Sequence, residues 1–213
     1  EIVGRPIDSP PDIAFTRPIY STWAQYKTAI DQEKTLQYAG DTVAKGFPIG
    51  TMEIDDKWEV HYGDFEFDSA KFPEPKSMVA KLHELGFVVT LWVYPFINLD
   101  SKNYSYASDN NLLVKDRGGK PLTVKWWNGQ AGDIDFTNPQ AVNWFKEKLL
   151  QLQKDCGFDG FKFDAGDASF YPEGSVAAET IPSSEFGDRY MKFIVGNFQK
   201  YSETRVSTFA QAL

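Results

Sequence analysis

The segment Gly157-Phe158-Asp159-Gly160-Phe161-Lys162-Phe163-Asp164-Ala165-Gly166-Asp167 carries the strongest chemical signal in this chain of 213 residues. If residues 161–163 form a strand, alternation puts Phe161 and Phe163 on one face and Lys162 and Asp164 on the other. The phenylalanines then pack against helices, while lysine and aspartate share an inner face where each offsets the other's desolvation. A carboxylate held in that way at a strand end is a candidate nucleophile. The alternative is an aspartate that only caps the following turn.

A second acidic group stands at Met52-Glu53-Ile54-Asp55-Asp56. Strand alternation places Glu53 and Asp55 on one face with Thr51, and Ile54 on the other. Carboxylates there can grip hydroxyl groups, Asp56 included, although Asp56 also fits a solvated loop start. Trp92 closes a third apolar run and shares a face with Thr90, so it can wall the same site. Trp126 and Trp127 precede Asn128, Gly129 and Gln130, a mixture of flat apolar faces and amide donors that suits a sugar ring and its hydroxyls. Paired tryptophans in a loop are also common core plugs, and that reading stays open for both.

These residues need elements to position them. Short apolar runs at residues 19–23, 49–54, 88–93, 161–163 and 206–209 read as strands. Helical spacing falls between and after them, at residues 32–44, 76–85, 140–155 and 185–201. Alternation of Val- and Phe-rich strands with helices points to a parallel sheet with helical crossovers. No glycine-rich phosphate loop follows any strand, which removes the usual reason to favour an open nucleotide-binding sheet. The long connections, 55–75 and 94–137, follow strands, whereas the returns from helix to strand are short. A (β/α)₈ TIM barrel builds its active site from the loops after the strands, so function is expected on the long side. Five strands cover part of an eight-strand barrel, with residues 1–18 as a proline-rich entry segment and residues 19–213 as the N-terminal part of the barrel.

Composition narrows the classes further. At 42% hydrophobic and 15% aromatic residues the chain can bury a large core. A net charge of −8 without a basic cluster gives no footprint for phosphate backbones, so nucleic acid is not an expected partner. The longest apolar stretch, residues 87–97, is far below the roughly 20 residues of a membrane-spanning helix and reads as a buried strand. The single Cys156 reads as a buried thiol, and with only His61 and His83 beside it no zinc-type ligand set forms. The sequon Asn103-Tyr104-Ser105 points to an N-glycan at Asn103 and hence to the secretory pathway, luminal or extracellular.

Taken in order, the motifs resemble glycoside hydrolase family 31, and within it the myogenesis-regulating glycosidase branch. They are Met52-Glu53-Ile54-Asp55-Asp56, Tyr62-Gly63-Asp64-Phe65-Glu66-Phe67-Asp68 with Lys71-Phe72-Pro73, and Thr90-Leu91-Trp92-Val93-Tyr94-Pro95-Phe96. They continue with Trp126-Trp127-Asn128-Gly129, Asp135-Phe136-Thr137-Asn138-Pro139 and Phe161-Lys162-Phe163-Asp164-Ala165-Gly166. The resemblance implies a (β/α)₈ barrel, retention of anomeric configuration, Asp164 as nucleophile, and sugar contacts from Glu53, Trp92, Trp127 and Lys162. Many α-glucosidases of the family carry Asp where this chain has Glu53. The branch shares the Glu, and its implied activity is α-galactosidase, so terminal α-galactosides are the preferred expectation.

A retaining mechanism needs a second carboxyl about 5–5.5 Å from the nucleophile. In the family it follows the fifth strand, so it is expected beyond Leu213. Asp167 is expected to order the loop instead. The expected partners are an oligosaccharide or glycoconjugate substrate and the remainder of its own catalytic domain, with no cofactor. Two competing readings within the fold are a non-catalytic carbohydrate-binding or scaffold protein and an α-glucosidase. A metal-dependent barrel hydrolase is disfavoured because both histidines lie away from the strand ends.

Overall fold

The computed structural model describes residues 9–198 and 200–206. Five parallel strands form one sheet in the order β1-β2-β3-β7-β8: β1 Ile19–Ser21, β2 Thr51–Ile54, β3 Val88–Val93, β7 Gly160–Phe163 and β8 Glu203–Thr204. Neighbours in the sheet follow chain order, as successive strands of a (β/α)₈ barrel must. The register sets Glu53 beside Thr90, Trp92 beside Lys162, and Lys162 beside Glu203.

Helices connect the strands and cover their outer face. The helix α1 is Ile13–Thr16 and α2 is Thr22–Tyr26. The longer α3 Gln32–Ala44 starts where the Asp31 side chain accepts the Lys34 amide at 2.8 Å, and it buries Thr35, Ala39 and Thr42 at helical spacing. The next, α4 Pro75–Glu84, has proline in its first turn. Asn138 caps α6 Pro139–Cys156, which buries Ala141, Phe145, Leu149, Leu152 and Cys156. It ends at Gly157, whose φ of 88° is the left-handed stop that glycine adopts without a Cβ penalty. The last, α7 Phe186–Asn197, packs Tyr190 and Phe193 against the outward face of Phe163, which is fully buried, as is Phe161.

Four sequence expectations change. The first strand stops at Ser21 because the Ser21 hydroxyl accepts the Trp23 amide and starts α2 at Thr22. The entry segment contains α1, so ordered structure precedes Ile19; its residues 1–8 lie outside the described residues. The final strand lies at Glu203–Thr204, ahead of the expected 206–209, of which residues 207–209 lie outside the described residues. The preceding helix ends early because Phe198 leaves the helix, at φ −139°, to pack on Phe161 and Phe163.

The long connection after β3 holds a small antiparallel sheet where the sequence predicts only a loop. It orders β4 Phe96–Asn98, β6 Gly129–Asp133 and β5 Thr123–Trp126, with α5 Tyr104–Asp109 in the intervening chain. Pro95 divides the apolar run 87–97 into β3 and β4. In β5, Val124 and Trp126 are buried and Thr123 and Lys125 exposed. This sheet stands on the side to which the barrel strands point.

The asparagine of the Asn103 sequon is engaged inside the fold. Asn103 is buried, and its Nδ2 donates to the carbonyls of Gly63 at 2.8 Å and Asp64 at 3.0 Å. A glycan would be attached through that same nitrogen, in place of one of these bonds.

Candidate active site

Lys162 rises from the middle of the sheet's inner face. Its Nζ donates to Glu53 Oε1 at 3.0 Å and Asp55 Oδ2 at 2.7 Å, and the two carboxylates are 2% and 5% exposed. Alternation alone puts Glu53 and Asp55 on one face of β2, and the long lysine stem crosses β3 to reach both. In the sheet register Ser21 stands beside Glu53, and Glu203 beside Lys162. Burial pushes the Glu53 carboxyl up, with Glu203 adding to the rise and Lys162 opposing it. Burial likewise raises Asp55, to about 6, against the hydrogen bond and charge of Lys162. For Lys162 burial pulls downward, but the charge of Glu53 and the hydrogen bond of Asp55 outweigh it and the ammonium is held above its ordinary value. The cluster therefore keeps its ammonium and favours an additional carboxyl proton.

Asp164 follows β7 at its C-terminal end. Its Oδ2 accepts the Trp92 indole N–H at 2.9 Å and its Oδ1 the Ala165 amide at 2.9 Å. Arg205 Nε lies 3.3 Å from Oδ1. The chain then turns through two left-handed residues, Ala165 at φ 57° and Gly166 at φ 78°. A Cβ at Gly166 would stand 2.3 Å from Tyr190 Cδ1, and the Tyr190 hydroxyl donates to the Asp164 carbonyl at 3.3 Å. Both the carboxylate and its backbone are thus held in place, which is what a group in covalent catalysis requires.

The expected charge partner of Asp164 is corrected. Lys162, two residues earlier on the same strand face, reaches sideways to β2, and Arg205 takes its place beside Asp164. Arg205 also pairs with Asp167 and lies with its guanidinium 5.2 Å from the Trp127 ring centroid. Asp167 accordingly holds Arg205 in the loop after β7.

The tryptophans divide. Trp92 is 2% exposed and aims its N–H at Asp164. Trp127 is 49% exposed at the tip of the β5–β6 hairpin, where its ring also meets Trp126, Phe170 and Arg205. Trp126, expected among the sugar contacts, is 4% exposed, stacks in an aromatic layer with Trp92 and Tyr94, and donates its N–H to Asn98 Oδ1 at 2.8 Å. Its polar atom and nearly all its surface are used inside the protein. Asp56, also expected to hold hydroxyls, is 3% exposed, and its two oxygens accept Tyr62 OH at 2.7 Å and Asn128 Nδ2 at 2.9 Å.

Under the same loops Glu59 is fully buried. It accepts Tyr94 OH at 2.5 Å and the amides of Gly63 and Phe65 at 3.0 and 2.9 Å, and burial raises its carboxyl to about 8. It organises the connection after β2 from within. Arg205 and Glu203 were not anticipated. Their signal was present, since both belong to the end of a barrel strand, but the strand was expected three residues later.

Comparisons with known proteins bear on the fold and the family. The family described as Glycosyl hydrolases family 31 TIM-barrel domain matches residues 9–208. The chain is 36% identical over 209 residues to myogenesis-regulating glycosidase of Mus musculus, covering 98% of this chain and 29% of that protein. It is 30% identical over 144 residues to an α-xylosidase of Lactiplantibacillus pentosus, covering 67% of this chain and 19% of that protein. The chain thus spans less than a third of either relative. Among solved structures, the Flavobacterium johnsoniae dextranase complexed with glucose superimposes with a TM-score of 0.82 at 22% identity, over 95% of this chain and 26% of that one.

Proposed function

The chain belongs to glycoside hydrolase family 31, and from that membership we propose that it forms the nucleophile-bearing part of a retaining glycosidase cleaving terminal α-linked sugars, α-galactosides first. The observation that supports this reading most is the setting of Asp164: a carboxylate at the C-terminal end of a barrel strand, oriented by Trp92, the Ala165 amide and Arg205. Asp164 attacks the anomeric carbon as the bond to the leaving oxygen breaks, and that oxygen takes a proton from a carboxylic acid. The glycosyl ester so formed is opened by water, whose proton returns to the same carboxyl, and the anomeric configuration is retained. Glu53 and Asp55 are committed to Lys162 and Asp167 to Arg205, so we assign the acid/base role to a carboxyl outside the described residues.

Glu53 and Lys162 form the floor on which the sugar hydroxyls seat, Trp92 the inner wall, and Trp127 the outer one. The preference for galactosides rests on Glu53, whose extra methylene relative to Asp sets the carboxylate differently against the sugar. The reading is tested with the full-length protein on paired aryl α-galactoside, α-glucoside and α-xyloside substrates, with and without chelator. Dominant α-galactoside turnover that survives chelation is expected. Dominant glucoside or xyloside cleavage overturns the substrate, and loss on chelation overturns the mechanism. A 2-fluoro sugar that fails to label the peptide containing Asp164 overturns the nucleophile. Binding of the sugar without any turnover favours a non-catalytic carbohydrate-binding role.

A further inference from the structure

We infer that Asp56 is a positioning residue for Trp127, tying the hairpin tip that carries this indole to the barrel. The inference rests on the glycosidase reading only where turnover is its readout. Asp56 follows β2 directly, yet its carboxylate is turned away from solvent, at 3% exposure. One oxygen accepts Tyr62 OH at 2.7 Å and the other Asn128 Nδ2 at 2.9 Å. Two donors thus converge on one side chain, and only a carboxylate offers two acceptor oxygens; an amide would turn a donor toward one of them.

Asn128 is the residue after Trp127. The register pairs Trp126 with Gly129, so Trp127 and Asn128 are the two residues of the hairpin turn. A second tether holds the same turn from inside the small sheet, where Asn98 Nδ2 donates to the Asn128 carbonyl at 2.9 Å and Asn98 Oδ1 accepts the Trp126 indole at 2.8 Å. Asn98 thus fixes the turn to its own sheet, and Asp56 fixes it to the barrel. The second fixation sets where the exposed Trp127 ring lies relative to Asp164, because Arg205 spans the two: it is 5.2 Å from the ring centroid and 3.3 Å from Asp164 Oδ1. A two-residue tip with a half-exposed indole would otherwise fray independently of the strands that hold the nucleophile. The ligand chemistry served is the apolar face of a pyranose ring, which a flat indole contacts well only from a fixed position.

The test uses the full-length protein and four variants: Asp56→Asn, Asn128→Ala, their combination, and Asp56→Asn in a Trp127→Ala background. With an aryl α-glycoside, each single change is expected to raise KM roughly tenfold, the effect of one charge-assisted hydrogen bond, while kcat stays within about twofold. The double variant should be no worse than either single one, and Asp56→Asn should add nothing once Trp127 is gone. Amide hydrogen exchange at residues 126–129 should quicken in both single variants, a readout that needs no turnover. Additive effects, or a further KM rise in the Trp127→Ala background, would show that Asp56 touches the sugar itself and overturn the inference. Unchanged exchange at the tip overturns it as well. If the wild type cleaves no glycoside, the glycosidase reading fails while exchange still decides the tether.

Discussion

Replacing Lys162 by methionine tests the carboxylate cluster directly. Methionine keeps much of the stem's packing and removes the ammonium that lies 3.0 Å from Glu53 and 2.7 Å from Asp55, leaving two carboxyls of 2% and 5% exposure without a cation. Breaking a buried ion pair by deleting one partner costs about 3–5 kcal/mol, because the remaining charge is buried and uncompensated. The cluster can escape part of that cost by taking up a proton, and the pH dependence follows. Asp55 titrates at about 6 in the folded state, above its ordinary value of 3.8. Its contribution to stability is therefore fully present below 3.8 and is lost as the pH rises through about 6, roughly 3 kcal/mol at about 1.36 kcal/mol per pK unit. Without Lys162 the same carboxyl titrates higher, so the loss continues into the neutral range. The variant should lie close to wild type at pH 5 and fall behind by about 3–5 kcal/mol near pH 8. Urea unfolding of the full-length protein, followed through the barrel transition at both pH values, measures the difference. A penalty below about 1 kcal/mol near pH 8, or an equal penalty at both pH values, would refute the claim that Lys162 holds the two carboxylates together.

Three further outcomes are expected. Asp164→Asn should fold and bind sugar while turnover falls by at least about a thousandfold, some 4 kcal/mol of lost transition-state stabilisation, because an amide is a poor nucleophile; steady-state kinetics with intact thermal unfolding checks it. Gly166→Ala should destabilise the barrel by more than about 1 kcal/mol, since it places a Cβ residue at φ 78° and 2.3 Å from Tyr190; a thermal shift near zero would contradict the tight turn after Asp164. Protein made in a glycosylating host should carry no glycan at Asn103, and Asn103→Ala should cost about 1–3 kcal/mol by leaving the Gly63 and Asp64 carbonyls unpaired; peptide mass spectrometry and urea unfolding decide both.

What the sequence disclosed, and what it withheld, follows from the range of each interaction. Residues 88–93 and 32–44 were read to the residue, because β-branched runs and apolar spacing of three and four are local and each element's own cap or breaker lies beside it. Inner and outer faces were legible for the same reason: alternation sent Phe161 and Phe163 to the helices and left Lys162 and Asp164 inside. Which carboxylate the lysine would choose was not legible. The nearest in sequence was Asp164, but side chains two apart on one strand run side by side, whereas Glu53 and Asp55, 109 and 107 residues away, converge on the ammonium from β2. Arg205 was hidden by a boundary. An apolar run just past it attracted the strand assignment, while the pairing that forms uses Glu203 and Thr204, polar residues whose fit comes from Lys162 and Phe163 next to them. Shifting a strand by three residues moves an arginine from its approach to its C-terminal end, and on a barrel that is the difference between a surface charge and a group beside Asp164. Asp56 and Trp126 show the opposite limit: their types suit sugar recognition, and the fold also engages their polar atoms with Tyr62, Asn128 and Asn98 under a long connection. Residue type states what chemistry a side chain can do, and only the sheet and loop packing decides which partner it does it with.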